Sequence, residues 1–501
     1  MKLNRFFMLG LAGLAFAACS NEDNPAVGGD GSNKTMVVSI AGIGAESTRA
    51  ITDGEDAWGQ DDSETAALLN INKITLLFTD QAGKILYAYS DDRPSGADGN
   101  WDGLFGTTGV KFLGLEGVEQ VYAIANQQLA TDLKTILNKN VSEYTTALNE
   151  QGYAAVKAKS DVRYVGWDKD ITSYQAEPSP EMPELGKNDI AAPDNYEGKE
   201  GNFYYEAAIK LVPMVSRIQI NKISVVTSGE MNFPAEDIPS TNITENKFKL
   251  TWENFKPVLN GIYLNNFYNT FNNFSGELAD QKKNTSFFSG TGTATDYFIK
   301  EGKWLFGNND FATDAAYVSY ATGAYTELLS YASSPATGTV DLVIPDIDAD
   351  DQVNTCVAFN IFVPVQLNDQ GAVQAVDVSY NPTIHFQFDK DVDNYDIKYS
   401  LADGSAVTDE EDKAWLATCS TVIDYTLPET DEYLFANINK LFSDSNLGTE
   451  LQMKPGMIYN MDVTISPINM NIDIQPVKEY NVVVKVTVQP FSVQTIYPGM
   501  E

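Results

Sequence analysis

The sequence predicts an all-β protein of two consecutive β-sandwich domains, and three observations carry that expectation. Short apolar runs with alternating pattern recur along the chain, Asn-, Asp- and Gly-rich connections separate them, and helical periodicity is confined to a few short stretches. At 501 residues the chain is longer than one ordinary core supports, and its 43% apolar content is enough for more than one.

The elements follow in order. Lys2 and Arg5, the uncharged run from Phe6, and the small residues Ala17 and Ala18 before Cys19 make a secretory leader. Cleavage after residue 18 leaves Cys19 as a new N-terminus to which a lipid can be attached. The 13 residues of the run are too few to span a membrane, which takes about 20. SNEDNPAVGGDGS reads as a flexible tether with nothing to bury. TMVVSIAGIG then reads as an isolated strand, with Met36, Val38 and Ile40 on one face.

INKITLLFTD and KILYAYS predict a hairpin around Gln81–Gly83, and VEQVYAIANQQ a further strand. LATDLKTILNK and VSEYTTALN have the spacing of two short surface helices. EPSPEMPELGK carries Pro178, Pro180 and Pro183 and reads as a loop. KLVPMVSRIQINKISVV reads as one long strand closing the first domain, which sets the boundary at residue 226. KFKLTWENF, GTVDLVIP, CVAFNIFVPVQ, TIHFQFD, YDIKYSL and IYNMDVTISPI supply strands of the second domain, 227–501. In NVVVKVTVQPFSVQTIY, residues Val482, Val484, Val486 and Val488 share one face, with Phe491 and Val493 following Pro490. A terminal strand of this kind either completes its own sheet or adds to another molecule's.

Composition excludes several functions. A net charge of −36 repels a phosphate backbone, so no nucleic-acid partner is expected. The single histidine, His385, lies on a strand with no nucleophile motif and reads as solvated or hydrogen-bonded rather than catalytic. DIDADD spaces Asp346, Asp348 and Asp350 as a calcium loop would, but Asp351 and Val357 stand where Gly and Glu are required. DKDVDNYD fails in the same way at Asn394. No catalytic residue, metal or cofactor is expected. Cys356 and Cys419 either pair or stay as buried thiols.

Arginine is scarce: beyond the leader there are Arg49, Arg93, Arg163 and Arg217. Arg49 sits in AESTRAITDGED, a small and polar segment open to a trypsin-like protease. The lipid-bearing FAACS, the acidic residues after it and Arg49 together resemble the precursor pattern of the fimbrillin family, the shaft subunits of Bacteroidales-type fimbriae. VYAIANQQ, LVPMVSRIQI, PGMIYNMDVTISPI and VTVQPFSVQTIY resemble that family's strand motifs in order, with Phe491 where many relatives carry Trp.

The resemblance implies tandem transthyretin-like sandwiches and polymerisation by protease-triggered strand exchange. Residues 19–49 would be a lipidated propeptide anchored in the outer membrane, and residues 50–226 the first mature domain. An Arg-specific protease would cut between Arg49 and Ala50, releasing a placeholder strand that contains Met36, Val38 and Ile40. The slot would accept a donor strand from another copy, roughly residues 475–498, carrying Val482, Val484, Val486, Val488, Phe491 and Val493. Partners would then be further copies and the anchor and tip subunits of an extracellular fimbrium that contributes to adhesion. Two alternatives stay open: a fimbrial tip or anchor subunit, and a surface glycan-binding lipoprotein that keeps its lipid and needs no cut.

Overall fold

The computed structural model describes residues 34–43, 71–147, 162–174, 178–232, 248–282, 303–306, 317–319, 330–331, 338–343, 357–418, 433–471 and 483–490, apart from short breaks inside these spans. The predicted all-β class is what it shows. In the first half the strands are β1 (Lys34–Ile43), β2 (Lys73–Thr79), β3 (Ile85–Asp92), β4 (Val110–Leu115) and β5 (Gln120–Ala125). After them come β6 (Thr145–Ala147), β7 (Tyr164–Asp168), β8 (Thr172–Ser173), β9 (Glu184–Leu185) and β10 (Phe203–Pro213). A short helix, α1 (Gly99–Phe105), stands before β4, its first amides capped by the Asp98 carboxylate.

The β2–β3 hairpin forms because the Asp80 carboxylate accepts from the amides of Ala82 and Lys84, both at 2.9 Å. The sheet order is β3-β2-β5-β7-β10-β1-β4-β9. β10 pairs with β1 along most of its length and passes to β7 only at Val212 and Pro213. That change of partner folds the sheet over itself. Phe112 of β4 consequently meets Phe78 of β2 at 4.9 Å and Tyr89 of β3 at 5.4 Å between ring centres. The result is a two-layered sandwich with its core between the layers.

The second half begins with β11 (Val215–Val226), β12 (Gly229–Asn232), β13 (Phe248–Glu253), β14 (Leu259–Asn265), β15 (Phe267–Asn272) and β16 (Leu278–Lys282). It continues with β17 (Lys303–Phe306), β18 (Tyr317–Ser319), β19 (Ser330–Tyr331), β20 (Thr339–Val343), β21 (Val357–Phe362), β22 (Thr383–Asp389) and β23 (Asp396–Leu401). Helix α2 (Glu410–Thr418) and strands β24 (Tyr433–Ile438), β25 (Met457–Ile465), β26 (Met470–Asn471) and β27 (Val483–Pro490) complete it. β11 is central: β20 and β21 pair along one edge, and β25 runs parallel along the other. A second sheet has the order β14-β22-β24-β26. No helix among the described residues is long and apolar enough to cross a membrane.

Three local expectations change. The strand read as continuous from Lys210 to Val226 is two strands, because Pro213 ends β10 and β11 joins strands of the second half. The two helices expected between Leu129 and Asn149 are 3₁₀ turns at Leu133–Ile136 and Val141–Glu143, capped by Asp132 and Asn140. Thr145–Ala147, placed in the second of those helices, is a strand instead, because it pairs with β15. The same place ties the halves together through buried polar groups. The Thr146 hydroxyl donates to Asn273 Oδ1 at 2.7 Å and accepts from Arg163 at 3.0 Å, while Asn273 Nδ2 donates to Gln127 at 2.8 Å.

Candidate functional site

The site begins with the strand that the sequence singled out. β1 is neither loose nor at a sheet edge; it lies between two strands, parallel to β10 and antiparallel to β4. Met36 is level with Tyr205 on one side and Phe112 on the other, and Val38 with Ala207 and Val110. Ile40 is level with Ile209. These positions face the sandwich core, where Met36 and Val38 are fully buried and Ile40 nearly so. Taking β1 out would therefore leave a gap with two unpaired flanks, not the single edge that an isolated strand implies.

The opposite face of β1 is also covered. Val37 is buried next to Lys111 and Glu206, whereas α1, which lies against the strand, buries Trp101 and Leu104 in the same core as Met36, Val38 and Ile40. Gly109, at φ 79°, passes so close that a Cβ there would come within 2.7 Å of a Val37 methyl carbon. Lys111 is itself buried and pairs with Glu184 of β9. Ser39, further along this face, is only half-buried beside exposed Ala208.

Polar anchors hold the start of the strand. The fully buried Thr35 hydroxyl oxygen accepts from the Gly201 amide at 2.8 Å. Lys34 Nζ donates to the Val118 carbonyl at 2.9 Å and to Glu119 at 3.3 Å, and stands 4.9 Å from the centre of the Tyr205 ring. Sequence reasoning found Met36, Val38 and Ile40 but missed Thr35, Val37 and Gly109. The glycine just before VKFLGL was the available signal, since such a residue marks close backbone approach.

β27, the terminal strand, pairs antiparallel with β25, so that Val484, Val486 and Val488 stand opposite Val463, Met461 and Tyr459. Those three β25 residues are buried. Among the described residues no strand pairs with the other edge of β27. Cys19, Arg49, Ala50, Val482, Phe491, Val493, Cys356 and Cys419 lie outside the described residues. Of the remaining arginines, Arg217 is 2% exposed within β11, and Arg93 and Arg163 are half-buried.

His385 is buried in β22, its Nδ1 2.6 Å from Asn437 Oδ1 and its Nε2 2.9 Å from the Thr383 hydroxyl. Burial lowers its pKa to about 4, against a smaller upward pull from Asn437, so the ring is neutral at pH 7. No group of three or more His, Cys, Asp or Glu among the described residues is arranged to hold a metal ion.

The molecule is thus an all-β protein whose leading strand is built into the middle of its own sheet. It is similar to solved structures of Bacteroidales fimbrilins and candidate cell adhesion proteins. One is a fimbrilin of Porphyromonas gingivalis, at 13% identity and TM-score 0.37, covering 92% of this chain and 98% of that one. Another is a candidate cell adhesion protein of Bacteroides eggerthii, at 12% identity and TM-score 0.36, covering 92% and 97%. A third is a fimbrial tip protein of Porphyromonas gingivalis, at 9% identity and TM-score 0.32, covering 91% and 99%. No family model matches the chain, and no curated protein does.

Proposed function

We propose that this chain is the precursor of a cell-surface fimbrial subunit, exported as a lipoprotein and polymerising by exchange of its leading strand for a neighbour's terminal strand. The observation that carries the reading is the place of β1 between β10 and β4, with Thr35 to Val38 buried. Lipid on Cys19 would hold the precursor at the outer membrane, and a cut between Arg49 and Ala50 would detach the tether together with β1. In this reading the chain folds as two transthyretin-like sandwiches that meet at Met214, where β10 gives way to β11.

The energetics favour a two-step switch. While β1 is tied to the chain, its effective concentration at the slot is high, and no external strand competes. Cutting leaves a ten-residue strand bound only by its own contacts. A neighbour's strand then gains ladder hydrogen bonds on two flanks, at about 0.5–1.5 kcal/mol each. Each buried valine adds about 1.5–3 kcal/mol. The contact joins the front of one subunit to the tail of the next, so it propagates without closing.

The test is to treat purified precursor with an Arg-specific protease and look for SDS-resistant ladders. Ladders are expected from the wild type, and none from Arg49→Ala or from a chain lacking residues 482–496. A ladder from either variant removes the corresponding part of the reading.

A further inference from the structure

The slot that β1 fills sets different requirements at successive positions, and these fix how a terminal strand can enter it. The inference rests on the exchange reading above. Three positions, those of Met36, Val38 and Ile40, face the core and need apolar side chains. The Val37 position faces the other way but is also buried, beside the Lys111 cation and beneath Gly109. It needs a small apolar group and excludes a second cation. The Ser39 position is half-exposed beside exposed Ala208, and Glu206 lies diagonally across from it on the same face.

The sequence around β27, YNVVVKVTVQP, can be slid along these requirements. A phase that turns Lys485 toward the core buries its charge. Placing Val484 at Met36 brings Lys485 to the Val37 position, directly opposite Lys111. Placing Tyr480 at Met36 puts Asn481 into that buried apolar position. A larger shift, with Val486 at Met36, seats Thr487 in the buried apolar Val37 position and sets Pro490, which lacks an N–H, at Ile40 beside β10.

One register meets every requirement. It places Val482 at Met36, Val483 at Val37, Val484 at Val38, Lys485 at Ser39 and Val486 at Ile40. Asn481 then falls at Thr35, with a side-chain oxygen that can accept from the Gly201 amide. Lys485 reaches the half-exposed position with Glu206 diagonal to it.

We infer that a second copy of this chain binds the slot in this register, running parallel to β10, with Val483 and Lys485 reading its outer face. The direction follows from the flanks: the amides and carbonyls of β10 and β4 are already spaced for a strand parallel to one and antiparallel to the other. A reversed strand satisfies the same core positions but seats Thr487 at Val37.

The test uses full-length precursor with Cys356→Ser and Cys419→Ser, carrying Glu206→Cys together with V483C, K485C or T487C in turn. Each is cut with the Arg-specific protease, oxidised, and mapped for intermolecular disulfides by mass spectrometry. Linkage is expected for V483C and lost for the other two. Linkage through K485C or T487C instead shows a slipped or a reversed strand; either overturns the register while leaving exchange intact. Failure of all three to polymerise overturns the register and the exchange reading together, provided the uncut variants unfold at the wild-type midpoint. If E206C does not fold, Lys111→Cys on the other flank of Val37 takes its place with the same expected pattern.

Discussion

Val37 lies over Gly109 so closely that a Cβ on the glycine would stand 2.7 Å from its Cγ1. That contact makes the slot selective on its outer face as well as toward the core. Gly109 also has φ 79°, a conformation that L side chains seldom adopt. Gly109→Ala is expected to destabilise the uncut precursor by about 1–3 kcal/mol in urea unfolding. Adding Val37→Ala should restore part of the loss by relieving the contact, but not the part due to backbone strain.

Thr35 offers a separate check on the anchoring of β1. Its hydroxyl oxygen accepts from the buried Gly201 amide, so Thr35→Val leaves that amide without its partner. The expected cost is about 1–3 kcal/mol, measured as a lower denaturation midpoint. Thr35→Ser should recover most of it.

The halves are expected to depend on the Thr146–Asn273 link. Asn273→Ala removes the acceptor for Thr146 and the donor for Gln127 and should cost about 1–3 kcal/mol. Calorimetry checks this, and a midpoint unchanged from wild type would show that the link contributes nothing net.

His385 sets a pH dependence whose sign is fixed by the direction of its shift. Its pKa in the folded chain is lowered to about 4, so between that value and about 6.5 the unfolded chain binds the extra proton. The contribution of neutral His385 is complete above about pH 6.5 and is lost as pH falls toward 4, amounting to about 3 kcal/mol across the window. His385→Gln should flatten the pH dependence of the unfolding free energy in that window relative to wild type. An equal slope in both proteins would contradict the assignment.

Much of the strand inventory was legible, because alternation survives in short runs: β2 and β5 fall within the segments that period and turn residues picked out, and β3 overruns its segment by two residues, to Asp92. The terminal strand was legible for the same reason. The place of β1 in its sheet was not, since Lys34 pairs with Phe203 and no local pattern reports so distant a partner. Continuity misled at Lys210–Val226, where uninterrupted strand propensity hid a change of sheet that Pro213 alone signals. At Thr145–Ala147 a distant pairing with β15 overrode helical spacing. Of the site, the core-facing residues were readable from alternation, whereas the burial of Val37 depends on the close approach of Gly109 on the other face.

The most direct measurement concerns what leaves the slot as the filament grows. Precursor cut by an Arg-specific protease is left to polymerise, and both the filaments and the supernatant are weighed by mass spectrometry. The account predicts one released peptide containing Lys34–Ile43 for each subunit incorporated, with none of it in the filament. Filaments that still hold that peptide between β10 and β4 would contradict the account, because incoming and outgoing strands could not then share one place.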